Sequence, residues 1–137
     1  MAQNGQGSAD PRPTISTHVL DTASGKPAAG VHVTLSRLDG DGRALRMTQA
    51  LTDGDGRVRD LLERPLAAGV YRLEFRPAAV AEDRDATSAR DAGSPRDAGS
   101  VRFFERVAVD FRVDDVSRSY HVPLLLAPFA VSTYRGS

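Results

Sequence analysis

From residue 14 onward, apolar and polar side chains alternate in short runs separated by Gly, Asp, Ser and Pro. Period-two alternation buries one face of a strand and wets the other, so the pattern predicts an all-β chain. Ile15 to Leu20 forms a first predicted strand, closed by Asp21, Ser24-Gly25 and Pro27. Val31, Val33 and Leu35 alternate with His32, Thr34 and Ser36 in a second. A weaker strand is expected over 46–52, between the turns Asp39-Gly40-Asp41-Gly42 and Asp53-Gly54-Asp55-Gly56. Tyr71, Leu73 and Phe75 then oppose Arg72, Glu74 and Arg76, and the pattern returns across 103–113 with Val107, Val109, Phe111 and Val113 on one side. The last long strand, Tyr120 to Leu126, carries consecutive apolar residues, which predicts burial on both faces, as against another subunit. Roughly six to eight short strands at this spacing argue for a β-sandwich.

Length fits one such unit, since 137 residues can bury roughly two-thirds of the surface that the unfolded chain exposes. Lys+Arg and Asp+Glu both number 18, so no net field favours nucleic acid or a membrane surface. Cysteine is absent, which excludes thiol catalysis, disulfides and Cys-based zinc sites together. The first thirteen residues read as a disordered leader with no apolar stretch of the secretory kind. No apolar run approaches the roughly 18 residues a membrane span requires, so a soluble, cytoplasmic protein is expected. Within about 81–100, Arg84-Asp85-Ala86, Arg90-Asp91-Ala92 and Arg96-Asp97-Ala98 repeat with no large apolar residue. Such a block cannot offset its ordering entropy and reads as a flexible insertion between strands.

Candidate chemistry is concentrated in few residues. His18 lies in the first predicted strand and His121 in the last, and imidazole is the side chain whose ordinary pKa suits proton transfer at neutral pH. His32 has no polar neighbours of note and reads as an ordinary strand residue. Arg57 follows the second Gly-Asp turn, at a strand start, where its planar donors could bind a carbonyl or an anion. That turn lacks the spacing and closing Glu of a calcium loop. The tail residues Tyr134, Arg135 and Ser137 place a phenol, a guanidinium and a hydroxyl close together. No Ser stands in a G-x-S-x-G context, so water activated by an imidazole is the more natural nucleophile.

Four blocks, in order, carry a resemblance: Ser16-Thr17-His18-Val19-Leu20-Asp21 with Gly25-Lys26-Pro27-Ala28, Thr52 to Arg57, Tyr120-His121-Val122-Pro123-Leu124-Leu125, and Ser132-Thr133-Tyr134-Arg135-Gly136-Ser137. With them the chain resembles the 5-hydroxyisourate hydrolase family of transthyretin-related proteins over residues 15–137, the insertion apart. The resemblance implies a transthyretin-like two-sheet β-sandwich of about eight strands with one short helix. It also implies a homotetramer whose sites lie at the dimer–dimer interface, and a cofactor-free hydrolysis of 5-hydroxyisourate to 2-oxo-4-hydroxy-4-carboxy-5-ureidoimidazoline. Carried onto this sequence, the catalytic residues are His18, Arg57, His121 and Ser137, the substrate is held by His18, Arg57 and Tyr134, and no metal takes part. The competing expectation is a non-catalytic, transthyretin-like carrier of a small ligand; transthyretin itself has neither this tail nor the paired histidines. Ala127, Ala130 and Val131 depart from the family's usual Ser-Pro-(Phe/Tyr)-Gly-Tyr pattern but spare the implied catalytic groups.

Overall fold

A computed structural model of the protein describes residues 12–77 and 103–136. Nine strands form in chain order: β1 (Ile15–Asp21), β2 (Lys26–Pro27), β3 (His32–Leu38), β4 (Ala44–Leu51), β5 (Arg57–Val58), β6 (Gly69–Arg76), β7 (Val107–Val113), β8 (Tyr120–Ala127) and β9 (Ala130–Thr133). They make two sheets. One runs β4-β3-β6-β7; in the other, β1 lies beside β8, which is followed by β9, while β2 and β5 both pair with the opposite edge of β1. No helix occurs among the described residues, so the short helix implied by the resemblance is not found there. None of these residues forms a helix long and apolar enough to cross a membrane. The leader up to residue 11, the repeats of 81–100 and Ser137 lie outside the described residues.

The alternation read from the sequence becomes the core. Ile15 and Val19 of β1, Val33 and Leu35 of β3, Leu73 and Phe75 of β6 and Leu124 of β8 are fully buried between the sheets. Removing each such side chain from water contributes about 1.5–3 kcal/mol. Leu35 and its neighbour Ser36 are both buried, breaking the period of two, because the β3–β4 register shifts between them. Within that sheet, Tyr71 of β6 stacks on its cross-strand partner Phe111 of β7 with ring centroids 5.8 Å apart.

Several strand limits differ from expectation for physical reasons. β7 begins at Val107 and not at residue 103; Phe103 and Phe104 instead pack edge to face on each other, and the Phe103 amide donates to the Pro128 carbonyl. The two-residue strands β2 and β5 are defined by their partner, β1, and not by any periodicity of their own. β9 is a strand that the apolar pattern does not predict; it folds back on β8 through Pro128-Phe129, with Ala127 opposite Ala130. The departures at Ala127, Ala130 and Val131 therefore sit in a hairpin that closes, and Val131 packs against the core.

The pairing of β1 with β8 decides which side chains share the outer face of their sheet. It is parallel, with Ser16 opposite His121 and His18 opposite Pro123. Buried Thr17 ties the two strands by donating its hydroxyl to the Val122 carbonyl at 2.6 Å. Ile15, Thr17 and Val19 point into the core along with Tyr120, Val122 and Leu124, which leaves Ser16, His18, His121 and Leu125 on the outer face of the sheet. On the outward side of β8 Pro123 is buried while Leu125 and Ala127 remain partly exposed, so one chain covers that side only in part.

Candidate active site

Three of the residues singled out from the sequence come together on that outer face. His18 pairs across β1 with Arg57 of β5 on one side and with Pro123 of β8 on the other. Paired residues project to the same face, so the Arg57 and His18 side chains stand side by side. His121 is opposite Ser16, two residues along β1 from His18. With strands spaced about 4.8 Å apart and rising about 3.3 Å per residue, the two histidine backbones are diagonal neighbours at roughly 8 Å.

Arg57 owes its position to the turn before it. The Asp53 carboxylate accepts hydrogen bonds from the amides of Asp55 at 2.8 Å and Arg57 at 3.0 Å, and those two amides hold its pKa below the ordinary carboxylate value. The turn then docks on β1: the Val19 amide donates to the Gly56 carbonyl at 2.7 Å. Gly56 has φ +74°, and a β-carbon there would stand 2.5 Å from the Val19 carbonyl oxygen. Only glycine meets both the left-handed backbone and the close approach. Gly56→Ala should therefore displace Arg57 from His18, lowering kcat by at least about tenfold with a fall in Tm of several degrees, read by steady-state kinetics and a thermal melt.

The His121 imidazole is half-buried, and its pKa lies below the ordinary 6.5. Burial is the first cause, followed by the electrostatic influence of Arg57 and then of His18, while hydrogen bonding to the Ser16 backbone acts in the other direction. Its Nδ1 lies 2.8 Å from Ser16 Oγ. A neutral imidazole beside a permanent cation is suited to take a proton at neutral pH.

The tail returns to this histidine. The Gly136 amide donates to the His121 carbonyl at 2.7 Å, forming an antiparallel bridge. Arg135 lays its guanidinium 5.0 Å above the ring centre of Tyr120, a buried residue whose hydroxyl accepts from the Asp115 amide at 3.0 Å. Thr133 donates its hydroxyl to the Pro123 carbonyl. Tyr134, 56% exposed, joins His121, Tyr120, Arg135, Phe111 and Val109 around a cavity of about 330 Å³ at the open edge between β7 and β8. Neither His18 nor Arg57 lines that cavity. His18, Arg57 and His121 face the outer side of the sheet, and of the three His121 alone also borders the cavity that Tyr134 lines. His32 is on β3, in the other sheet, opposite Leu51 and Arg76, and takes no part in the group. Sequence reasoning missed Ser16 as a functional neighbour; its one signal was its offset of two from His18, which places both on the same strand face.

Fold and side chains together define a transthyretin-like sandwich with two imidazoles and a guanidinium on one outer face. Comparison with known proteins takes this further. The chain belongs to the HIUase/Transthyretin family, whose model matches residues 15–136. It is 44% identical over 126 residues to the 5-hydroxyisourate hydrolase of Deinococcus radiodurans, covering 91% of this chain and 97% of that relative. Among solved structures it resembles the 5-hydroxyisourate hydrolase of Klebsiella pneumoniae, with TM-score 0.65 and 34% identity over 91% of this chain and 99% of that one. It also resembles sea bream transthyretin in complex with thyroxine, with TM-score 0.66 and 29% identity over 90% and 94% of the two chains.

Proposed function

We propose that the protein hydrolyses 5-hydroxyisourate to 2-oxo-4-hydroxy-4-carboxy-5-ureidoimidazoline. The observation that carries this reading is the co-facial group of His18, Arg57 and His121 on β1, β5 and β8, joined to relatives that bear that activity in their names.

In this reading His121 is the base. Its Nε2 takes a proton from water as the oxygen adds to the ring carbonyl, forming the C–O bond. Arg57 donates to the resulting oxyanion, and a preorganised donor there is worth roughly 3–4 kcal/mol. Collapse of the tetrahedral intermediate breaks the C–N bond, and the imidazolium returns its proton to the departing nitrogen. His18, beside Arg57, orients the substrate carbonyl and the water. Tyr134 holds the far edge of the substrate, and Ser137 is given a catalytic role by the family resemblance alone.

The same reading includes a homotetramer with the sites at the dimer–dimer interface. Its support is physical: partly exposed Leu20 and Leu125 form an apolar rung next to His18 on a face that one chain covers only in part. Covering that face would exclude bulk water from the charges on which catalysis depends.

Added to urate and urate oxidase, the protein should accelerate the ultraviolet decay of hydroxyisourate beyond its spontaneous rate. A carrier would instead bind a thyroxine-like ligand tightly and leave the decay unchanged, and that pair of results would replace this reading with the carrier one.

A further inference from the structure

His121 is held at two points that proton transfer alone does not require. Ser16 Oγ contacts its Nδ1 at 2.8 Å from the strand opposite. On the other side of the ring lies Gly136, where a β-carbon would stand 2.5 Å from Cδ2 and 3.2 Å from Cγ of the imidazole. Gly136 has no left-handed backbone to explain it, so the need for glycine there is the ring itself. No side chain can be accommodated without turning His121.

These contacts act on different edges of one ring. Cδ2 is bonded to Nε2, so Gly136 decides whether Nε2 can swing to its working position. Nδ1 is occupied by Ser16. A hydroxyl can donate or accept, so it can serve either tautomer. With Nδ1 engaged by Ser16 Oγ, Nε2 is the nitrogen left to act as the base, and an Nε2 that takes a proton requires the ring proton on Nδ1, donated to Ser16 Oγ.

We propose that Ser16 and Gly136 are positioning residues for His121: Ser16 holds the proton on Nδ1, and the bare Gly136 provides the clearance in which Nε2 turns its lone pair toward the attacking water. This rests on His121 being the base, and it adds what makes that imidazole a base of fixed orientation and tautomer. It also gives the tail a role distinct from touching substrate, since its glycine is what the ring packs against.

The test uses the full chain. In the ¹⁵N spectrum of the native protein at neutral pH, His121 should show a protonated Nδ1 and an unprotonated Nε2; the reverse tautomer would overturn the proposal without any variant. Ser16→Ala should lower kcat about tenfold, the scale of one lost hydrogen bond to the reacting group, with KM changed by less than about twofold. Its His121 signals should move toward a mixture of tautomers, and Ser16→Thr should restore both rate and spectrum. Gly136→Ala should lower kcat by at least about tenfold and shift the His121 ring signals while Tm changes little. In a His121→Ala background neither substitution should cost anything further. Full kcat with unchanged ring signals in both variants would overturn the proposal, as would additive losses in the double variants, which would make Ser16 or Gly136 a direct substrate contact. Should His121→Ala itself keep full activity, the base assignment falls; the ring spectra would still report separately whether Ser16 sets the tautomer.

Discussion

His121→Ala is expected to lower kcat by about 10²–10⁴, the range that general-base assistance supplies. The sandwich should survive the change. His121 points away from the core, and its flanking residues Tyr120 and Val122, which do enter the core, are untouched. The side-chain hydrogen bonding lost among the described residues is that with Ser16, and one such bond has a net value of about 0.5–1.5 kcal/mol. Kinetics in the coupled assay and a circular-dichroism melt read the two effects separately. A kcat within about threefold of native in a folded His121→Ala protein would remove His121 as the base.

Arg57→Ala should also cut deeply, by about 10²–10³ in kcat, because in the proposed mechanism Arg57 is the donor to the developing oxyanion. It carries a second signature. The Arg57 charge is one of the causes that lower the His121 pKa, so its removal lets that pKa rise toward 6.5. A base must be unprotonated to act, and activity is lost as pH falls through its pKa. The acid limb of the kcat profile should consequently move to higher pH in Arg57→Ala. Arg57→Lys separates the two roles: the charge stays and holds the limb near its native position, while the lost planar fork keeps kcat low. An unmoved limb in Arg57→Ala would mean that the guanidinium is not close enough to His121 to act on it.

Much of the sandwich was legible because its strands are long and half-buried. Tyr71, Leu73 and Phe75 show a period of two in sequence and are buried together in β6, and Ile15 with Val19 does the same in β1. Where alternation fails, the cause lies in partners that a linear pattern does not contain. β5 is two residues long and exists because Arg57 and Val58 pair with β1. Ala130–Thr133 has too few apolar residues to read as a strand until β8 supplies its partner. The site was legible in its parts but not in its assembly. His18, Arg57 and His121 stood out as chemistry-bearing residues, and the resemblance joined them; that they share a face depends on the β1–β8 register, which alternation within either strand leaves open. Ser16 escaped notice because a serine one residue from the core-facing Ile15 and Thr17 has nothing unusual in its composition or spacing.

The parallel union of β1 with β8 also governs when the protein can begin to work. Ile15 and Tyr120 meet across more than a hundred residues of intervening chain, and every other rung of that ladder spans a similar distance. Contacts of such range are the slowest to close. A nascent chain extended only as far as β7 already holds His18 and Arg57 but has no strand on which to set His121, so the three come together only with the last strands translated. A protein truncated before β8, or one whose β8 is captured by another sheet edge during folding, would retain half of the site and none of its turnover.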